Sequence, residues 1–77
     1  MFLVVFCSKN VRIVIYPQDH WPPHIHVLAP GCEAKFTLDP IDCYFCRGFN
    51  ESFIKAITEY LKEKQNLLLE AWIEYQK

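Results

Sequence analysis

Charge of one sign is missing from this sequence. Eight Lys and Arg against nine Asp and Glu leave a formal net charge of -1, so no bulk field draws nucleic acid to the chain. Any RNA or DNA contact needs a local basic patch or a partner chain. A long apolar run is missing too. Phe2-Leu3-Val4-Val5-Phe6-Cys7 lacks a basic stretch before it and falls far short of the ~20 residues of a membrane span. The expectation is a cytoplasmic protein without membrane contact, with its four cysteines reduced. Cys43-Tyr44-Phe45-Cys46 has C-x-x-C spacing, but there is no second such motif and no thioredoxin-like βαβ pattern around it. The four cysteines therefore read as structural, with Cys7 and Cys32 as small buried hydrophobes in strands. Repeats, low-complexity tracts and flexible linkers are also absent.

What remains is one small domain. Seventy-seven residues leave no room for a second core. A hydrophobic share of 52% and an aromatic share of 16% favour a folded globule over disorder. Residues 2–7 and Val11-Arg12-Ile13-Val14-Ile15-Tyr16 are β-branched and aromatic runs around Ser8-Lys9-Asn10, the chemistry of a hairpin. Arg12 is expected on the face opposite Val11, Ile13 and Ile15. Residues 17–23 hold three prolines and read as a loop. His24-Ile25-His26-Val27-Leu28 reads as a third strand, and Ala29-Pro30-Gly31 as a type II turn. In the fourth strand, residues 32–38, alternation sets Glu33 and Lys35 on one face and Ala34, Phe36 and Leu38 on the other.

Residues 41–49 stay ambiguous. Asp39 can cap a short helix with Pro40 at its first position and Gly48 at its end. Asn50 is the expected N-cap of the next helix, with Glu51 well placed in its first turn. Apolar residues at 53, 57, 60, 61, 68, 71, 72 and 75 form a helical stripe, while Lys55, Glu59, Lys62, Glu63 and Glu70 fall off it. One long helix and two helices broken near Lys64-Gln65-Asn66 both fit. The fold class is α+β: a small antiparallel sheet of about four strands packed against one or two C-terminal helices. Trp72 with Leu68, Ala71 and Tyr75 fits a core, and also a partner-binding surface.

Chemistry concentrates in Asp19-His20-Trp21-Pro22-Pro23-His24-Ile25-His26, which holds all three histidines within seven residues around a stiff Pro-Pro step. Histidine titrates near neutrality, so such a cluster suits proton transfer or metal binding. On a strand, His24 and His26 share a face with Cα atoms roughly 6.6 Å apart. With His20 they form a candidate set for zinc or another transition metal. Without a cofactor, His24 and His26 are candidate acid and base. Glu33 and Lys35 lie beside them if the short turn pairs their strands, and Lys35 then serves a phosphoryl oxyanion. Arg12, Arg47, His20 and Asp19 are the candidate substrate contacts. The plain alternatives are imidazoles bonded to the loop backbone and a solvated cross-strand ion pair.

Residues 19–27 (DHWPPHIHV), then Glu33-Ala34-Lys35-Phe36, Arg47-Gly48-Phe49 and Leu69-Glu70-Ala71-Trp72-Ile73-Glu74-Tyr75, resemble in kind and order the domain-of-unknown-function 4160 family of small bacterial and phage-borne proteins. The likeness covers nearly the whole chain. Its first strand is shorter than usual for that family, and Trp21, Cys43 and Cys46 are particular to this chain. The resemblance implies a toxin-like partner or a binding component of a toxin–antitoxin-type pair. The expected partner is a small cognate protein or a second copy, and the face shared by the histidines, Glu33 and Lys35 makes RNA a candidate substrate. A non-enzymatic protein-binding module is the alternative.

Overall fold

The structure, a computed structural model, describes residues 11–16 and 21–76, and the backbone alone at 3–8. The expected loop residues 17–20 and the turn residues Lys9 and Asn10 lie outside the described residues, as does the side chain of Cys7. The elements are β1 (Leu3–Ser8), β2 (Val11–Ile15), β3 (His24–Ala29), β4 (Cys32–Leu38), β5 (Ile41–Arg47), α1 (Glu51–Glu63) and α2 (Gln65–Tyr75). The strands form one antiparallel sheet in chain order, β1-β2-β3-β4-β5. The α+β class and the two C-terminal helices match the sequence pattern.

The sheet has a fifth strand because residues 41–47 are extended, and the short helix considered there does not form. Leu38 pairs with Ile41 across Asp39-Pro40, so that dipeptide closes a hairpin instead of capping a helix. The β-branched and aromatic residues Ile41, Tyr44 and Phe45 suit the extended state. Gly48 follows the strand in the left-handed region at φ +90°. A Cβ there would lie 2.8 Å from both the Gly31 carbonyl oxygen and Cys32 Sγ. Gly48→Ala is therefore expected to destabilise the domain by more than about 1 kcal/mol, measured as a lower denaturant midpoint at unchanged slope. Gly31, at φ +72°, occupies the third position of the β3–β4 turn, as a type II turn requires.

Alternation builds the core. Ile13, Ile15, Ile25, Val27, Ala34, Phe36, Leu38 and Ile41 turn one sheet face to Ile57 and Leu61 of α1 and Leu68 and Trp72 of α2. The helix stripe is where the apolar periodicity puts it, and Lys55, Glu59, Lys62, Glu63 and Glu70 are exposed. Asn50 caps α1, its side-chain oxygen accepting the Phe53 N–H at 2.8 Å. The helix breaks at Lys64, with φ -106° and ψ 11°. This break lets α2 cross one end of the sheet. Gln65 Nε2 donates to the Leu38 carbonyl at 2.8 Å and Gln76 Nε2 to the Tyr16 carbonyl at 3.0 Å. Leu38 ends β4 and Tyr16 follows β2, so α2 passes the start of β3 and carries Trp72 to His24. Trp72 is 3% exposed, which closes it as a partner-binding surface.

Candidate functional site

The sheet face turned away from the core carries the polar residues of alternate positions. Register decides who meets whom. His26 lies opposite Lys35 and Val14, His24 opposite Thr37, Leu28 opposite Glu33 and Arg12, and Arg47 opposite Glu33. Glu33 and Lys35 therefore flank His26, and neither is the direct neighbour of His24. The hairpin is expected from the sequence. Its register is two residues away from setting Lys35 opposite His24 and Glu33 opposite His26.

The Pro-Pro step positions His24. The Trp21–Pro22 peptide bond is cis, and the Pro22 carbonyl lies 2.8 Å from His24 Nδ1. A carbonyl only accepts, so Nδ1 carries a proton and Nε2 is the basic nitrogen of the neutral ring. Leu38 N–H donates to the Pro23 carbonyl at 3.1 Å, which ties the step to the end of β4. Trp72 stands 6.3 Å from the His24 ring and meets Trp21 edge-to-face at 5.5 Å. Trp21 itself is 72% exposed.

His26 sits deeper. Its ring is 5.5 Å from that of His24 and 4.7 Å from Tyr16, edge-on in both cases. Its Nδ1 is 3.9 Å from Glu33 Oε2, while Glu33 Oε1 is 3.5 Å from Arg47. Glu33 thus links a histidine to a guanidinium. At these distances and this exposure the Glu33–Arg47 contact contributes little to stability, ~0–1 kcal/mol. Lys35 lies over the Phe45 ring at 5.0 Å.

A groove of about 310 Å³ opens beside His24, lined by Pro22, His24, Thr37 and Tyr44. Its volume is at the low end of ligand sites, which run ~300–1,000 Å³. Thr37 Oγ1 donates to the Pro40 carbonyl at 2.7 Å, and Tyr44 is 54% exposed. A smaller hollow on the same face is lined by Arg12, Val14, Tyr16 and Leu28. The structure thus brings together His24, His26, Glu33 and Lys35, with Arg12 and Arg47 at one end of the face. Asp19 and His20 lie outside the described residues. Among those described, no group of three or more His, Cys, Asp or Glu is placed to hold a metal, so the three-histidine metal set turns on His20.

Tyr44, Thr37 and Tyr16 are the site residues that sequence reasoning missed. Reading residues 41–47 as a strand would have flagged Tyr44 and Phe45 as exposed aromatics. The C-x-x-C pair lies on the helix side of β5. Cys43 packs against the core and its thiol donates to the Phe45 carbonyl at 3.3 Å. Burial pushes that thiol's pKa up, with the neighbouring Cys46 and Asp42 adding to the rise and the Phe45 carbonyl opposing it. Cys43 is therefore poorly suited to thiolate chemistry. Cys46 is exposed, Cys32 is half-buried, and neither forms a disulfide.

An antiparallel sheet, covered by two helices on one side and presenting a polar face with His24 and His26 on the other, defines a small α+β protein with a candidate surface site. The model of the family described as domain of unknown function DUF4160 matches residues 10–73. The chain belongs to that family. Comparison with curated proteins and with solved structures finds no match. No helix among the described residues is long and apolar enough to cross a membrane.

Proposed function

We propose that the open sheet face binds single-stranded RNA and cleaves it by acid–base chemistry, as the toxin-like member of a toxin–antitoxin-type pair in the cytoplasm. One observation carries the reading. His24, its tautomer set by the Pro22 carbonyl, lines a groove beside an exposed Tyr44 and stands 5.5 Å from a second imidazole. An aromatic ring on an open sheet stacks a base at a gain of ~1–3 kcal/mol without needing bulk positive charge, which suits a chain of net charge -1.

In this mechanism His24 Nε2 takes the proton of a ribose 2′-hydroxyl, whose oxygen attacks the adjacent phosphorus. His26, whose Nε2 is buried, gives a proton to the departing 5′-oxygen from Nδ1, the nitrogen 3.9 Å from Glu33 Oε2. Lys35 stabilises the negative charge that builds on the phosphoryl oxygens, and Arg12 and Arg47 hold flanking phosphates. The products are a 2′,3′-cyclic phosphate and a 5′-hydroxyl. The toxin-like role rests on the family resemblance alone, an analogy and not a physical argument.

The test uses untagged protein and a labelled single-stranded RNA. Binding and cleavage to a cyclic phosphate, unchanged by EDTA, are expected. RNA left unbound and intact, with and without added zinc, overturns the reading. Cleavage that appears only with added zinc transfers the site to a metal held by His20, His24 and His26.

A further inference from the structure

The outer strand β5 is complementary to its own reverse, and we infer that a second copy of this chain pairs with it to form a two-fold dimer. Among the described residues β5 pairs only with β4, so one row of its backbone N–H and C=O groups faces outward, a ready template for another strand. All six residues that follow Ile41 in the strand stand open to solvent or half-buried, Tyr44 and Phe45 among them.

The β-bulge makes the pairing symmetric. Phe36 lies opposite Cys43 and Lys35 opposite Phe45, which leaves Tyr44 as the extra residue. With Tyr44 set aside, Asp42, Phe45 and Arg47 lie opposite Thr37, Lys35 and Glu33 on the open face, and Cys43 and Cys46 lie opposite Phe36 and Ala34 on the helix face. In a regular strand, residues 42 and 47 would fall on opposite faces. A second β5 laid antiparallel about a two-fold axis at Phe45 sets Phe45 against its own copy. The same register sets Asp42 against the partner's Arg47, twice by symmetry, and Cys43 against the partner's Cys46. The interface is isologous, so the assembly closes at two copies.

Arg47 has donors to spare for this contact. Its side chain is 67% exposed, and its ion-pair contact with Glu33 is 3.5 Å long. The two sheets join edge to edge into a continuous surface, with a Tyr44-lined groove on either side of the axis. The inference stands apart from any RNA chemistry, since it uses the edge and not the histidines.

Sedimentation equilibrium on the full chain tests it. The wild type is expected at twice the 9.1 kDa of one chain. Asp42→Arg and Arg47→Asp each place like charges across the axis twice and are expected to weaken dimerisation by about tenfold or more. Asp42→Arg combined with Arg47→Asp restores the pairs and the dimer. Phe45→Lys is expected to be a folded monomer, with far-UV circular dichroism as the control for folding. A wild type that stays monomeric at every concentration overturns the inference and leaves the edge to a different partner. A dimer indifferent to the single reversals, or one that the double reversal does not restore, overturns it as well.

Discussion

His24→Ala is expected to cut the single-turnover rate of RNA cleavage by ~10²–10⁴-fold, the usual span for losing a positioned general base. Stability should change little, because His24 is only half-buried and bonds a backbone carbonyl near the surface. RNA binding is expected to persist, since Tyr44 and the flanking cations remain. Induced expression offers the same comparison in cells: growth arrest by the wild type alone, at matched expression. A His24→Ala protein that cleaves at the wild-type rate, or arrests growth equally, removes His24 from the mechanism.

The other large effect is on folding. Phe36→Ala is expected to destabilise the domain by ~3–5 kcal/mol, the cost of emptying a large aromatic site in a core that cannot fully collapse. Phe36 is fully buried in β4, between Ile25 on one neighbouring strand and Cys43 on the other. A domain of this length holds about 4–12 kcal/mol in all, so the variant should be close to unfolding. Denaturation followed by tryptophan fluorescence reads it directly, since Trp72 is buried in the same core. A loss below about 1 kcal/mol would mean that the β4 centre packs far more loosely than its burial implies. The two variants separate the faces of one sheet. His24→Ala is expected to lower activity and spare the fold, while Phe36→Ala is expected to lose the fold and any activity with it.

Features set by contacts of short range are legible in the chain. Alternation in residues 32–38 assigned Ala34, Phe36 and Leu38 to the core and Glu33 and Lys35 to the other face, because side-chain direction along a strand depends only on local geometry. Asn50 declared the start of α1 for a similar reason, since the cap bonds an N–H three residues on. The helical stripe at 53, 57, 61, 68 and 72 marked the buried side of both helices. Residues 41–49 were harder. Asp-Pro followed later by Gly suits the start and end of a helix as well as a hairpin turn. Pairing with β4, a contact along the whole strand, decided between them.

The candidate site divides along the same line. The candidate residue types could be read from the chain: three histidines around a Pro-Pro step, a carboxylate and an amine on one strand face. Which of them meet could not. Hairpin register places Lys35 beside His26 and Thr37 beside His24, and a slip of two residues would set Lys35 beside His24 and Glu33 beside His26 instead. The break at Lys64 turns α2 across the end of the sheet and brings Trp72 to His24 across 48 residues of sequence. The bulge at Tyr44 exists only relative to β4, yet it puts Asp42, Phe45 and Arg47 on one face. Residue type and local periodicity are properties of the chain as written. Groove, register and bulge belong to the packed sheet, because each is a relation between strands that only folding brings together.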